Sequence, residues 1–218
     1  MEKKDIIQFI SSASGSYSPY QLFYDWVKCL ALSIVNTCSI HHGKIWQERE
    51  KEYLQTFNRH DKKTQDTFMR ATIALVEIYE NCFDDVLGDI YMKSGCGNKN
   101  TGQFFTPYHL ARLMAELSLP KDLTEDDKLP LNEPTCGGGA NIIATADVLR
   151  SRGLNYQKML KVVGQDLDYL AVYMTYIACS FYGIDAIVVQ GDTLQDPYVD
   201  GYDERRIFRT PMNVGAII

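Results

Sequence analysis

Three consecutive glycines, residues 137–139, constrain the fold of this chain more than any other feature of its sequence. Before them stands LPLNE, residues 129–133, which is typical of a short strand; after them comes an apolar segment, residues 140–152, which is typical of a helix. Glycine has no Cβ, so the backbone can turn with a positive φ and approach a ligand closely. The pattern therefore predicts a strand, a tight turn and a helix, with a ligand near the turn.

Two further alternations of strand and helix follow the glycines. KVVGQD, residues 161–166, and DAIVVQGD, residues 185–192, are predicted strands, and the segment 168–183 between them is a predicted helix. This order predicts a parallel sheet with right-handed crossovers. Ligands of such sheets bind at the carboxyl ends of the strands. The glycine turn, Asp166 and Asp192 all fall at that edge.

The first part of the chain is predicted to be helical. Ser18 and Pro19 form a helix start, because serine caps helices and proline fits their first turn. Helices are expected after this start and over residues 44–57, 64–80 and 85–93, and another is expected to begin at Thr106 and Pro107. SGCGNKNTG, residues 94–102, is rich in helix breakers. We therefore predict a helical N-terminal domain, 1–100, and an α/β domain, 101–218.

Composition narrows the classes of function. The net charge of −6 argues against strong nucleic-acid binding by the chain alone, although it allows a local basic patch. The six cysteines and four histidines lack the spacing of metal ligands, and no metal site is expected. No apolar run is long enough for a membrane span or a signal peptide, so we expect a cytoplasmic protein with reduced thiols.

Three glycine-rich patterns bind different nucleotide-like ligands. The phosphate loop needs a lysine after its glycines, and none follows here. The dinucleotide fingerprint fits Gly137 and Gly139 but has Ile142 where it needs a third glycine. The remaining pattern, an acidic residue followed after three positions by Gly-x-Gly, matches Glu133, Gly137 and Gly139 and is that of S-adenosylmethionine-dependent methyltransferases.

The chemistry of S-adenosylmethionine (SAM) agrees with this pattern. Its ammonium group favours a nearby carboxylate, and it has no phosphate that would need a lysine. At the end of the second strand, Asp166 is placed to accept hydrogen bonds from both ribose hydroxyls, and Asp192 is placed to reach the adenine amino group. An alternative stays open at this point, namely that each aspartate only caps a helix or a turn.

Four segments together resemble the N6-adenine DNA methylases of the type I restriction–modification class. The segments are TGQFFTP (101–107), EPTCGGG (133–139), GQD (164–166) and GDTL (191–194). They resemble the family's G-Q-F-[FY]-T-P, D-P-[TA]-C-G-[ST]-G, G-Q-E and G-D-[ST]-L, in the same order and spacing. The resemblance covers about residues 83–195. It implies a helical N-terminal domain, a shortened Rossmann-like methyltransferase domain, SAM as cofactor and methyl transfer to adenine N6 in DNA.

The resemblance also implies roles for individual residues. The methionine end of SAM would be lined by Phe104, Phe105, Thr106 and Pro107. The floor of the pocket would be formed by Glu133, Gly137 and Gly139, with Asp166 on the ribose and Asp192 on the adenine. Four adjoining residues complete the predicted cofactor site: Thr135, Cys136, Leu167 and Thr193. Taken by itself, FFTP is better explained as a helix cap with two core phenylalanines.

The family's catalytic tetrapeptide, [ND]-P-P-[FY], does not occur in this chain. Its polar side chain would accept hydrogen bonds from the target amino group, and its ring would stack on a flipped base. Residues 196–198, Asp-Pro-Tyr, are one proline short and are predicted to form a turn. The catalytic residue is therefore unassigned, with Asp196, Tyr198 and Asn213 as weak polar candidates. GAII, residues 215–218, is a possible start of a fourth strand.

The missing motif leads to two classes of hypothesis. The first is a SAM-dependent DNA methyltransferase-like protein, weak on DNA alone, that needs a partner methylase or a specificity subunit. A short sheet with an open edge would favour such a partner, or a homo-oligomer. The alternative is a catalytically inactive SAM-binding or DNA-associated regulatory module. Methylation of RNA or protein is a further possibility.

Overall fold

Backbone contacts divide the chain into two units. The structure, a computed structural model, describes residues 1–13, 17–39, 41–94, 105–199 and 201–215. The first unit comprises residues 1–82 and 86–104, and the second comprises residues 83–85 and 105–218. Most of the predicted linker, 94–102, lies outside the described residues.

Helices form the described part of the first unit: α1 (Lys3–Ser12), α2 (Pro19–Thr37), α3 (Lys44–Asn58), α4 (Lys62–Asn81) and α5 (Val86–Lys93). The predicted start of α2 is confirmed, because Ser18 Oγ accepts a hydrogen bond from the Gln21 N–H at 3.1 Å. The sequence analysis missed α1, although Ile6 and Ile10 stand four residues apart and are fully buried.

The second unit contains both strands and helices. Its described elements are α6 (Tyr108–Ser118), β1 (Leu129–Glu133), α7 (Ala140–Ser151), α8 (Tyr156–Met159), β2 (Leu160–Asp166), α9 (Tyr169–Phe181), β3 (Asp185–Gln190), β4 (Ile207–Arg209) and α10 (Pro211–Val214). The sheet has the strand order β1-β2-β3-β4, and β1, β2 and β3 are parallel. The predicted fold class, a Rossmann-like domain with a parallel sheet, is confirmed.

The fourth strand differs from the prediction. It is formed by Ile207–Arg209 and pairs antiparallel with β3, whereas residues 216–218 of the predicted GAII strand lie outside the described residues. Phe208 pairs with Val188 in the register and packs against the rings of Tyr173 and Tyr176. Two buried residues after a charged segment are too short a pattern to predict a strand, so the sequence analysis missed β4.

Helices α7 and α9 lie against the parallel strands. Contacts run from α9 to β2 and β3, from α7 to β1 and α9, and from α6 to α7. The helices therefore follow the same order as the strands, and α6 lies beyond α7, on the β1 side. Every residue from Leu170 to Cys179 in α9 is buried, because this helix is apolar around its whole circumference.

Helix α6 begins one residue later than predicted. Pro107 is its N-cap residue, and no side-chain hydrogen bond from Thr106 caps it. One face packs on α7 through Ala111 and Ala115. The adjoining face carries four exposed apolar side chains, which we call the α6 stripe: Leu110, Leu113, Met114 and Leu117.

A helix that crosses a bilayer is long and apolar, and the described helices can be judged by both properties. None of them combines the length and the apolar character needed to cross a membrane.

Candidate functional site

The candidate site lies at the carboxyl ends of β1, β2 and β3. Three loops meet there: residues 134–139 after β1, residues 167–168 after β2 and residues 191–198 after β3. The register pairs Glu133 with Gly164 and Asp166 with Gln190, so the last residues of neighbouring strands are adjacent. The predicted residues on the three loops are therefore brought to one edge of the sheet.

The glycine turn has the predicted left-handed backbone. Gly137 has φ +54° and Gly139 has φ +92°, and α7 begins at the next residue, Ala140. A Cβ on Gly139 would lie 3.1 Å from Thr175 Oγ1 and 3.4 Å from the Thr175 Cα. Packing of the turn against α9 therefore gives a reason for this glycine in addition to the predicted approach of a ligand.

The predicted segment before α6 also reaches the glycine turn. A Cβ on Gly137 would lie 3.0 Å from Cδ1 of the Phe105 ring. Phe105 and Thr106 are half-buried, Pro107 is exposed, and Phe104 lies outside the described residues. The packing of Phe105 on Gly137 brings the FFTP segment to the edge predicted from the sequence.

The Asp166 carboxylate joins the first two loops. Oδ2 accepts a hydrogen bond from the Gly137 N–H at 2.9 Å, and Oδ1 accepts one from the Asp168 N–H at 3.0 Å. Burial raises the pKa of the Asp166 carboxyl group, while the two backbone N–H groups act in the opposite direction. Each carboxylate oxygen has two lone pairs, so Asp166 keeps the capacity to accept hydroxyl donors.

Glu133 lies at the end of β1 and is held from α7. Its Oε2 accepts a hydrogen bond from Asn141 Nδ2 at 3.0 Å. Thr135 is exposed in the turn, whereas the Cys136 side chain is buried, with its Cβ and Sγ close to Gly164. Burial raises the pKa of the Cys136 thiol well above its usual range, so this thiol is neutral and unreactive.

The loop after β3 begins earlier than predicted. The strand ends at Gln190 rather than residue 192, so Asp192 belongs to the loop, where its Oδ1 accepts hydrogen bonds from the Leu194 and Gln195 N–H groups. This capping is the alternative role considered above. Thr193 Oγ1 donates to the Pro134 carbonyl at 2.5 Å, which ties the third loop to the first. On the loop between them, Leu167 is 67% exposed.

Gln165 holds the end of the third loop. Its side chain is buried, its Nε2 donates to the Asp196 carbonyl at 2.9 Å, and its Oε1 accepts from the Tyr198 N–H at 3.0 Å. The turn lies earlier than the predicted residues 196–198: it is formed by residues 193–195 and closed by the Asp196 N–H, which donates to the Asp192 carbonyl at 2.6 Å.

The structure excludes Asn213 from this site. Its Nδ2 donates to Asp185 Oδ1 at 2.7 Å, and Asp185 begins β3. Asn213 therefore lies near the amino end of β3, whereas the glycine turn lies at the carboxyl ends of the strands. The suggestion that Asn213 is a catalytic residue is wrong.

Three contributors to the site were missed by the sequence analysis: Gln165, Asn141 and Thr175. Thr175 Oγ1 donates to the Gly137 carbonyl at 2.9 Å. Asn141 and Thr175 are polar residues in otherwise apolar segments, and that isolation was the available signal for these two. Polar groups are buried in such segments when they have a specific hydrogen-bond partner.

The charge of the site discriminates between ligands. Three carboxylates, those of Glu133, Asp166 and Asp192, stand at this edge, so a ligand with phosphates would be repelled there. A cation with neighbouring hydroxyl donors fits this set. Within the described residues, no group of three or more His, Cys, Asp or Glu side chains is arranged to hold a metal ion.

Replacing Gln165 with leucine is expected to loosen the loop after β3. The change removes two hydrogen bonds while keeping a similar volume, and we expect a loss of about 1–3 kcal/mol in the free energy of unfolding. Hydrogen exchange should accelerate at the Tyr198 amide. Gln190→Leu is the matched control, because its side chain donates to Leu167 instead. Equal exchange rates at Tyr198 in both variants would contradict the role of Gln165.

A parallel sheet with a glycine turn after its first strand and carboxylates after the next two is the arrangement of Rossmann-like methyltransferases. The sequence model of one family, N-6 DNA Methylase, matches residues 82–213. The chain belongs to the N-6 DNA methylase family, whose members take the methyl group from SAM.

One curated relative also aligns with the chain. The methylase subunit of the type I restriction enzyme MpnII of Mycoplasma pneumoniae is 26% identical over 131 residues, which is 56% of this chain and 23% of that protein. The chain thus spans about a quarter of the length of this curated relative.

Two solved structures also align with the chain. A Listeria monocytogenes protein, assigned to the class I SAM-dependent methyltransferases, aligns with a TM-score of 0.49, 15% identity and coverage of 83% of this chain and 56% of its own. The type I restriction–modification methyltransferase subunit of Streptococcus thermophilus aligns with a TM-score of 0.48, 16% identity and coverage of 92% and 41%.

Proposed function

We propose that this chain is the cofactor-binding part of a SAM-dependent DNA methyltransferase that acts on adenine N6. The observation that carries the proposal is the hydrogen bond from the Gly137 N–H to Asp166, which joins the glycine turn to the carboxylate at the end of β2. Family membership supplies the class of reaction. The cofactor would supply the methyl group, and the residues at this site would bind and orient the cofactor.

The residues at the site fit SAM group by group. Asp166 would accept the ribose hydroxyls with its remaining lone pairs. Glu133 would face the ammonium, and Asp192 would accept the adenine amino group through the oxygen that does not cap the turn. Leu167, a large apolar side chain that is mostly exposed beside Asp166, would cover the adenine ring.

We further propose that transfer to DNA requires a second polypeptide beside β1. Among the described residues, β1 pairs with β2 on one side, and its other edge has no strand. Helix α6 lies beyond α7 on that side, so the α6 stripe would cover the apolar face of an added strand. An added parallel strand would also end at the edge where the glycine turn lies, and its loop would be placed beside the cofactor.

An inactive SAM-binding module is the second candidate. One observation favours it: the Asp-Pro-Tyr segment, 196–198, is held by Gln165 through its backbone. The Asp196 carboxylate pairs with Arg206 at 3.8 Å and the Tyr198 ring packs against the Tyr202 ring, so both side chains have contacts within the protein.

Calorimetric titration with SAM, followed by transfer of labelled methyl groups, tests the proposal. We expect SAM to bind the purified chain, and label to enter adenine of duplex DNA only when a polypeptide carrying [ND]-P-P-[FY] is added. Binding without transfer to DNA, RNA or protein, with or without that polypeptide, would favour the inactive module. No binding at about 1 mM SAM would overturn the proposal.

A further inference from the structure

Asn141 is a polar residue in an apolar helix turn. It is the second residue of α7, and its neighbours Ala140, Ile142, Ile143 and Ala144 are all buried. Its Nδ2 donates to Glu133 Oε2 at 3.0 Å. Its Oδ1 is buried and has no hydrogen-bond partner among the described residues.

The orientation of this amide follows from the carboxylate beside it. The opposite orientation would bring the Asn141 oxygen against the Glu133 carboxylate, which has no proton to donate when ionised. The Asn141 Nδ2 group therefore donates to Glu133, and the Oδ1 acceptor is left unpaired. An unpaired buried acceptor destabilises the folded chain, so an apolar side chain of the same shape would pack at least as well here.

We infer that Asn141 is a positioning residue that fixes the Glu133 carboxylate for the amino group of the cofactor. This inference rests on the proposed function. Glu133 has three side-chain torsions, and a hydrogen bond from Asn141, a half-buried residue of α7, selects one of their combinations. Asn141 strengthens binding of the methionine end of the cofactor and does not affect binding of the adenosine end.

Two ligands allow binding at the two ends of the cofactor to be measured separately. S-adenosylhomocysteine carries the amino acid, whereas 5′-methylthioadenosine has the same adenosine and thioether without it. The wild-type chain is expected to bind S-adenosylhomocysteine more tightly, because only this ligand presents an ammonium group to Glu133. Calorimetric titration gives both dissociation constants.

The test variant is Asn141→Leu, which keeps the branching and removes both polar atoms. We expect its affinity for S-adenosylhomocysteine to fall roughly tenfold, with unchanged affinity for 5′-methylthioadenosine. Its melting temperature should equal or exceed that of the wild type, because the unpaired acceptor is gone. A purely structural role would lower the melting temperature and weaken both ligands together.

A second variant keeps the inference falsifiable if Asn141→Leu does not fold. Glu133→Gln removes the charge and should abolish the preference for S-adenosylhomocysteine; adding Asn141→Ser to it should then change neither affinity. Unchanged discrimination in Asn141→Leu or Asn141→Ser would overturn the inference while leaving the proposed function intact. If the wild type binds neither ligand, the proposed function fails and the inference falls with it.

Discussion

Replacing Gly139 with alanine is expected to lower the free energy of unfolding by about 2–4 kcal/mol. A left-handed backbone costs a residue with a Cβ about 1–2 kcal/mol, and Gly139 has φ +92°. The added Cβ would also lie 3.1 Å from Thr175 Oγ1 and 3.4 Å from the Thr175 Cα. The tight contact is the one with Thr175 Oγ1, which is held by its hydrogen bond to the Gly137 carbonyl, so overpacking adds about 1–2 kcal/mol.

The matched control is Gly153→Ala. Gly153 has φ +78°, and a Cβ there would meet no atom within 4 Å. This variant carries the backbone strain without the steric contact, so we expect a loss of about 1–2 kcal/mol. Urea unfolding followed by circular dichroism measures both values. Equal losses would show that α9 does not restrict the glycine turn.

Replacing Asp166 with alanine is expected to weaken SAM binding by at least about 100-fold. The change removes the acceptors for the ribose hydroxyls, and hydrogen bonds to a charged group contribute about 1.5–3 kcal/mol each. It also removes the acceptor of the Gly137 N–H, so the glycine turn loses its tie to β2. Calorimetric titration with SAM measures the effect, and the shift in melting temperature at a fixed SAM concentration provides an independent value.

Asp168→Ala is the control for charge. It makes the same change in net charge two residues further along, but its carboxylate caps α9 by accepting from the Leu170 N–H at 2.9 Å. We expect a loss of stability of about 1 kcal/mol, as for other helix caps, and nearly unchanged SAM affinity. If both variants lose affinity equally, the negative potential of the edge binds the cofactor and Asp166 has no specific role.

The parallel sheet could be predicted because each strand and helix has its own pattern. The apolar runs of β2 and β3, separated by a helix of buried residues, leave few topologies open. The glycine turn and Asp166 follow from the same pattern, because the ends of neighbouring parallel strands must meet. These inferences need only local sequence and the handedness of the crossover.

Contacts between segments distant in sequence could not be predicted in this way. Thr175 reaches the Gly137 carbonyl and Gln165 reaches Asp196 and Tyr198 only after the chain has folded, so neither pairing has a local signal. β4 was missed because three residues give no measurable periodicity. Nor does the sequence reveal how closely α9 approaches Gly139.

The three loops at the edge of the sheet are joined to one another by the protein itself. Asp166 binds Gly137, Thr193 binds Pro134, and Gln165 binds the loop after β3. When a ligand enters between loops that are already fixed in this way, the loops lose little conformational entropy. More of the contact energy therefore appears as affinity. We therefore expect the proposed cofactor to meet loops that are already arranged, so that its binding is closer to a lock and key than to induced fit.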